Sequence, residues 1–273
     1  MGIIKFSIIH IFLFFILSGS FRINRMWQIG HRGHSDKCGD NNMKSFIKAQ
    51  EDGFEMIELD VQLCKTGEIV VYHDTWFQNN YIINLPYYKL QEHEMVLLET
   101  VFETFVSTNM LLFLDIKGTE QVSEPLVNLI NKWFSRNEQQ RIYISGFNRN
   151  FVPFLDKPEY RFQLGFTTEN MFTLEQLELL TKNMEFVCFH WTALDEKVID
   201  FLHKKGMLIF SYTCKSDFIL NHMLHYDIDG IVTNYFIGED SPPNIRKRIS
   251  SSSFTKEMFK SESQGNIEFG NDN

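Results

Sequence analysis

The chain has 273 residues, 44% of them hydrophobic, with a formal net charge of −9 and no basic stripe interleaved with aromatics. That length fits one large domain or two small ones, and the charge pattern argues against nucleic acid as a partner. A small phosphate-bearing molecule is not excluded, because the local charge of a site governs such binding.

Residues 1–25 stand apart. Lys5 precedes a nearly unbroken apolar run, Phe6–Leu17, followed by Ser18-Gly19-Ser20, which is the pattern of a secretory signal peptide. The run is short for a membrane span, which takes about 20 residues. Met1–Gly19 taken whole is apolar enough for an uncleaved anchor, and Arg22 and Arg25 suit a cytoplasmic flank. The segment is expected to be a signal peptide or membrane anchor, giving a secreted or membrane-anchored protein. A start of translation at Met26 would instead give a cytoplasmic one.

From Trp27 onward short apolar runs alternate with amphipathic stretches. Trp27–His31 comes first, then Glu55–Val61, in which Ile57, Leu59 and Val61 alternate with Glu58 and Asp60. Leu111–Ile116, Arg141–Ser145, Arg161–Phe166, Phe186–His190, Met207–Tyr212 and Gly230–Thr233 complete a set of eight. Helical patterns occupy 42–52, 97–107, 122–135, 173–183 and 195–204, whereas Pro153 limits Asn148–Leu155 to a short helix. Thr173 and Gln176 have capping-box spacing, and Asp195 and Asn41 or Asn42 are candidate N-caps. Strands alternating with helices imply parallel βαβ units. Eight units predict an α/β fold, a (β/α)8 TIM barrel over residues 26–244, with an open doubly wound sheet as the alternative. Ile69–Tyr72 breaks the rhythm, following strand two too closely for a helical crossover. Lys65-Thr66-Gly67-Glu68 instead predicts a β-hairpin extension after strand 2 that brings His73 back to the barrel mouth. Residues 245–273, with the serine run Ser250–Ser253 and few apolar positions, read as a disordered tail.

Cys38, Cys64, Cys188 and Cys214 form no CxxC pair, which disfavours zinc. Their number permits two disulfides without demanding them, and Cys188, inside an apolar run, reads as a buried free thiol.

In a (β/α)8 barrel the C-terminal ends of the strands face one shared mouth. His31 ends strand one, Glu58 and Asp60 strand two, and Asp115 strand three. Three inward carboxylates repel one another unless a cation offsets them, and an all-oxygen set favours Mg²⁺ or Ca²⁺. His31 and His73 could divide proton transfer between them, and Arg32 and Lys117 would neutralise phosphate oxygens. These groups read together as a metal-dependent phosphodiester-cleaving site.

Four segments, IGHRG at 29–33, FEMIELDVQLCKTGEIVVYHD at 54–74, LFLDIKG at 112–118 and YDIDGIVTNY at 226–235, carry a resemblance. In order and spacing the chain resembles the glycerophosphodiester phosphodiesterase family from about residue 27 to residue 240. The resemblance implies a (β/α)8 barrel that hydrolyses glycerophosphodiesters to glycerol 3-phosphate and an alcohol. It further implies His31 and His73 as the acid–base pair, Arg32 and Lys117 on the phosphate, and Glu58, Asp60 and Asp115 as ligands of one divalent cation. It also implies attack by a substrate hydroxyl next to the phosphate, giving a cyclic phosphate that water opens.

The chain departs from the family pattern at Asp115, where glutamate is usual, and at Gly39-Asp40-Asn41-Asn42, where P-E-N-T is usual. Tyr212-Thr213-Cys214-Lys215 replaces a W-T-V-N-like segment, keeping an aromatic platform for substrate at Tyr212 and adding the charge of Lys215. Two alternatives remain open: lysophospholipase D or sphingomyelinase-D-like action on membrane lipids, with a lysolipid as partner, and a non-catalytic binding module on the same barrel.

Overall fold

Eight parallel strands close on themselves in the computed structural model, which describes residues 26–238. They are β1 (Trp27–Gly30), β2 (Met56–Leu63), β3 (Leu111–Ile116), β4 (Ile142–Ser145), β5 (Gln163–Thr168), β6 (Phe186–His190), β7 (Leu208–Cys214) and β8 (Gly230–Thr233). Each pairs in parallel with its sequence neighbours, and β1 pairs with both β2 and β8, which closes the (β/α)8 barrel. The open doubly wound sheet is thereby excluded. The signal or anchor read at 1–25 and the tail read at 245–273 lie outside the described residues. No helix among the described residues is long and apolar enough to cross a membrane.

The expected helices are present at Met43–Asp52, Leu98–Phe105, Ser123–Trp133, Leu174–Leu180 and Glu196–Lys204, with the short Val152–Leu155 in the proline-limited stretch. Asn42 caps the first through a reciprocal box with Ser45, Thr173 and Gln176 form the second box, and Asp195 accepts from the Val198 amide. Further elements had no strong periodicity to announce them: helices Ser35–Cys38, Tyr87–Gln91 and Asp217–Met223, and a two-stranded ribbon, Trp76–Phe77 with Asn80–Tyr81.

Period-2 alternation sorts each strand between two environments. In β2, Ile57, Leu59 and Val61 face the helices and pack with Phe46, Phe102 and Phe105. Met56 belongs to the opposite, inward cluster with Ile29, Phe113, Tyr143, Phe186, Cys188, Phe210 and Val232. Phe113, Phe186 and Phe210 interlock at centroid separations of 5.2–6.0 Å, filling the lower barrel with an aromatic plug. Each such ring contributes about 1.5–3 kcal/mol by burial. Two glycines make room for it: a Cβ on Gly165 would lie 2.5 Å from the Phe186 carbonyl oxygen, and one on Gly230 would lie 2.9 Å from the Phe210 ring.

The hairpin forms as expected. β2 continues past its neighbour, and Val61–Leu63 pair antiparallel with Ile69–Val71, whose far side takes Val96–Leu97. Gln62 donates through Nε2 to the carbonyls of Tyr72 and Asp74 at 2.7 and 2.8 Å, fastening the chain on either side of His73. At the barrel floor, Arg141 is 4% exposed. Its guanidinium donates to the carbonyls of Val106, Thr108 and Met110, where the helix Leu98–Phe105 ends. A cation there satisfies carbonyls that have no helical partner.

Candidate active site

Inward positions that carry apolar side chains low in the barrel carry polar ones at the strand ends. The sequence Met56, Glu58, Asp60 on β2 shows this, as do Phe113 then Asp115 on β3, and Tyr143 then Ser145 on β4. All eight residues singled out from sequence, His31, Arg32, Glu58, Asp60, His73, Asp115, Lys117 and Tyr212, line one cavity of about 160 Å³ at the mouth.

The turn after β1 is held by backbone chemistry. Gly33 sits at φ +87°, where a Cβ would lie 2.4 Å from Ser45 Oγ, so a side chain is excluded on both counts. Arg32 at φ +56° turns its amide onto Glu58 Oε2 at 2.9 Å. Its guanidinium reaches Asp60 Oδ2 at 3.2 Å through Nε and Asp40 Oδ2 at 2.7 Å through Nη1. The polar Asp40-Asn41 pair therefore has a defined job. Asn41 donates to Asp60 Oδ2 at 2.7 Å and accepts from the Asp60 amide at 3.3 Å.

Glu58, Asp60 and Asp115 are all buried, and a ligand oxygen from each lies within 4.8 Å of the others. Burial, then the charges of Asp60 and Asp115, push Glu58 well above the usual carboxylate range. Burial also raises Asp115. Burial opposes the charge on Asp60 too, yet Lys117 and Arg32 hold it below its ordinary value. Lys117 Nζ bridges Asp115 Oδ2 at 2.5 Å and Asp60 Oδ1 at 3.1 Å. Burial works against that ammonium, but the two carboxylates raise its pKa. Three crowded carboxylates facing two cations are an oxygen donor set that fits a hard divalent ion. The shorter Asp115 stays within ligand range of the other two.

His31 Nδ1 lies 2.7 Å from Asn234 Oδ1. With that amide oxygen as acceptor, the ring proton sits on Nδ1 and Nε2 keeps its lone pair. Burial, then the Arg32 charge, lowers the His31 pKa to about 4. His73 is 45% exposed at the rim, and its Nδ1 lies 2.7 Å from Asp74 Oδ1. Tyr212 presents its ring edge-on to Phe147 and His190, and Phe147 in turn lies under the Lys117 ammonium at 5.4 Å. Lys215 is exposed and lines the same cavity. Cys188 is buried at the cavity base, burial holding its thiol well above the ordinary value, and all four cysteines are free.

Sequence reasoning missed several supporting residues. Asn234 follows β8 and orients His31. Ser145 and Thr167, at the last inward positions of β4 and β5, share a 2.7 Å hydrogen bond and sit 3.4 and 3.5 Å from Asp115 Oδ1. The strand-end rule that found Asp115 would also have found these two hydroxyls.

Fold and mouth define the class first: a (β/α)8-barrel enzyme whose strand ends gather acids, cations and histidines around one cavity. Residues 31–237 match the glycerophosphoryl diester phosphodiesterase family, and the chain belongs to it. It is 24% identical over 229 residues to the glycerophosphodiester phosphodiesterase of Caldanaerobacter subterraneus subsp. tengcongensis, covering 76% of this chain and 93% of the relative. A Bacillus altitudinis glycerophosphodiester phosphodiesterase is 22% identical over 229 residues, with 75% and 93% covered. Among solved structures, an Oleispira antarctica phosphodiesterase in complex with sn-glycerol-3-phosphate superposes with a TM-score of 0.68 at 19% identity. It covers 82% of this chain and 96% of that one. The Thermotoga maritima glycerophosphodiester phosphodiesterase gives 0.64 at 24%, with 77% and 95% covered. These likenesses establish the shared fold.

Proposed function

We propose that the protein hydrolyses glycerophosphodiesters to glycerol 3-phosphate and an alcohol, using one divalent cation, Mg²⁺ or Ca²⁺. The observation that carries this reading is the convergence of two histidines, three basic side chains and three buried carboxylates on one cavity. Glu58, Asp60 and Asp115 would hold the cation, which supplies charge compensation to the phosphate when bound. Arg32 and Lys117 meet the remaining phosphate oxygens.

His31, with its Nε2 lone pair, takes the proton from the substrate hydroxyl next to the phosphate as that oxygen attacks phosphorus. His73, oriented by Asp74, protonates the departing alcohol oxygen. In the second step His73 takes a proton from water, water oxygen bonds to phosphorus, and His31 returns its proton to the hydroxyl that leaves the ring. The cyclic intermediate predicts that a diester lacking the vicinal hydroxyl is hydrolysed far more slowly; equal turnover would remove the internal attack.

A second reading, action on lysophospholipids, is favoured by one observation: Phe147, 51% exposed, stands beside the cavity it lines. Purified protein assayed against glycerophosphocholine and lysophosphatidylcholine, with glycerol 3-phosphate and choline measured as products, separates the two. Glycerol 3-phosphate from the first substrate supports the main reading. Choline from neither refutes both.

A further inference from the structure

Of the ten large apolar side chains exposed among the described residues, Ile47, Tyr88, Phe154, Leu174 and Leu179 lie on helices around the barrel, and the other five follow strand ends. Trp76 and Tyr81 (56% and 62% exposed) follow β2, Phe147 follows β4, Met171 (71%) follows β5, and Phe218 (73%) follows β7. Trp191, half-buried after β6, stands edge-on to Phe218 at 6.4 Å. All six lie on connections that leave the C-terminal ends of strands, and so ring the mouth. The opposite connections, at 53–55, 106–110, 134–141, 156–162, 181–185, 205–207 and 224–229, carry none of the strongly exposed large apolar side chains among the described residues.

We propose that this rim seats the mouth on a lipid surface, with the aromatic and methionine side chains entering the interfacial layer around the polar cavity. The chemistry of the rim and its centre selects that partner. A protein covering the mouth would have to seal buried carboxylates and cations under a dry interface, at a desolvation cost. A phospholipid surface instead offers phosphodiesters at the level of the cavity and acyl chains beneath them for the ring. Tryptophan and tyrosine, each with an apolar body and a polar tip, favour that boundary. The net charge of −9 makes no call on anionic lipid, so a zwitterionic surface is the fitting probe. The inference concerns binding and stands whether or not the catalytic reading holds.

The test uses the full chain and vesicles of phosphatidylcholine brominated in the acyl chains. Two of the four tryptophans, Trp76 and Trp191, lie on the rim; Trp27 packs at the aromatic plug and Trp133 ends a flanking helix. Vesicles should quench tryptophan fluorescence, and Trp76→Phe should remove much of that quenching. The double variant Met171→Ser, Phe218→Ser should lose most of the quenching, because two apolar side chains no longer hold the rim in the acyl layer. Leu179→Ser, at an 80% exposed position on a flanking helix, should be quenched as wild type is. Circular dichroism melts establish that each variant is folded. An apolar segment at 1–25 would hold all variants to vesicles alike, but it would not bring Trp76 into contact with bromine. Unquenched fluorescence in the wild type, or equal quenching of the double variant and Leu179→Ser, would overturn the proposal.

Discussion

The floor of this barrel buries an arginine and the mouth holds one that is partly exposed, for opposite reasons. Arg141 at the floor is surrounded by carbonyl oxygens of one helix end, neutral acceptors that would otherwise be unpaired. Arg32 at the mouth is set against Asp40, Asp60 and, through its amide, Glu58. The first arrangement is structural, with both terminal nitrogens of the guanidinium meeting acceptors already in the fold. The second leaves three crowded, buried carboxylates whose oxygens lie close enough to hold a further cation. The same division runs along individual strands, as Phe113 joins the plug while Asp115, two residues on, joins the cavity. Buried charge alone therefore does not mark the active site; the charge balance around it does.

The comparison breaks most readily at His31. Replacing it with alanine should lower diester hydrolysis about a thousandfold, or about 4 kcal/mol in the barrier, within the range for a lost acid–base group. The melting temperature should stay near that of wild type. A thermally crippled variant would mean that the mouth, like the floor, is structural.

Arg141→Met should do the reverse. It strands several buried carbonyls, at about 2–4 kcal/mol in denaturant unfolding, and leaves turnover per folded molecule unchanged. Gly165→Ala tests the plug itself. Its new methyl would collide with the Phe186 backbone and ring, costing about 1–3 kcal/mol through overpacking. A neutral result would show that the plug is loosely packed.

The smallest effect lies in the ion cluster behind the first loop, where Asp52 meets Lys48 and Lys37 at 2.9 Å and His34 at 2.7 Å. Hydrogen bonds from Lys48 and then Lys37 hold Asp52 below the usual carboxylate range. Its contribution is thus present above the unfolded value of about 4 and is lost as pH falls through the lower folded value. Wild type should exceed Asp52→Asn by up to about 1 kcal/mol near neutrality. The gap should close in acid unfolding below about pH 4; a gap independent of pH would contradict the assignment.

Much of this division was legible in the residues. Leu111–Ile116, Phe186–His190 and Gly230–Thr233 have the bounds that their apolar runs predict, because a strand buried on both sides writes itself as a continuous run. The hairpin was legible from a connection too short for a helix, and the acids from their strand-end positions. Helix Asp217–Met223 was not, since its seven residues barely complete two turns of periodicity. Asn234, Ser145 and Thr167 were missed for a different reason. Neutral side chains announce no chemistry until the fold sets them against His31 and Asp115. The rim was invisible for a third: Phe147, Met171 and Phe218 look like core residues until their exposure is known.

The central claim is that the mouth is a cation-dependent phosphodiesterase centre. It is tested most directly by following glycerol 3-phosphate release from glycerophosphocholine by the wild-type protein before and after chelation, with Mg²⁺ or Ca²⁺ then restored. The account predicts hydrolysis that chelator abolishes and a divalent cation restores in the wild type, and that no cation restores in Glu58→Gln. Hydrolysis that survives chelation undiminished, or that Glu58→Gln retains in full, would contradict it.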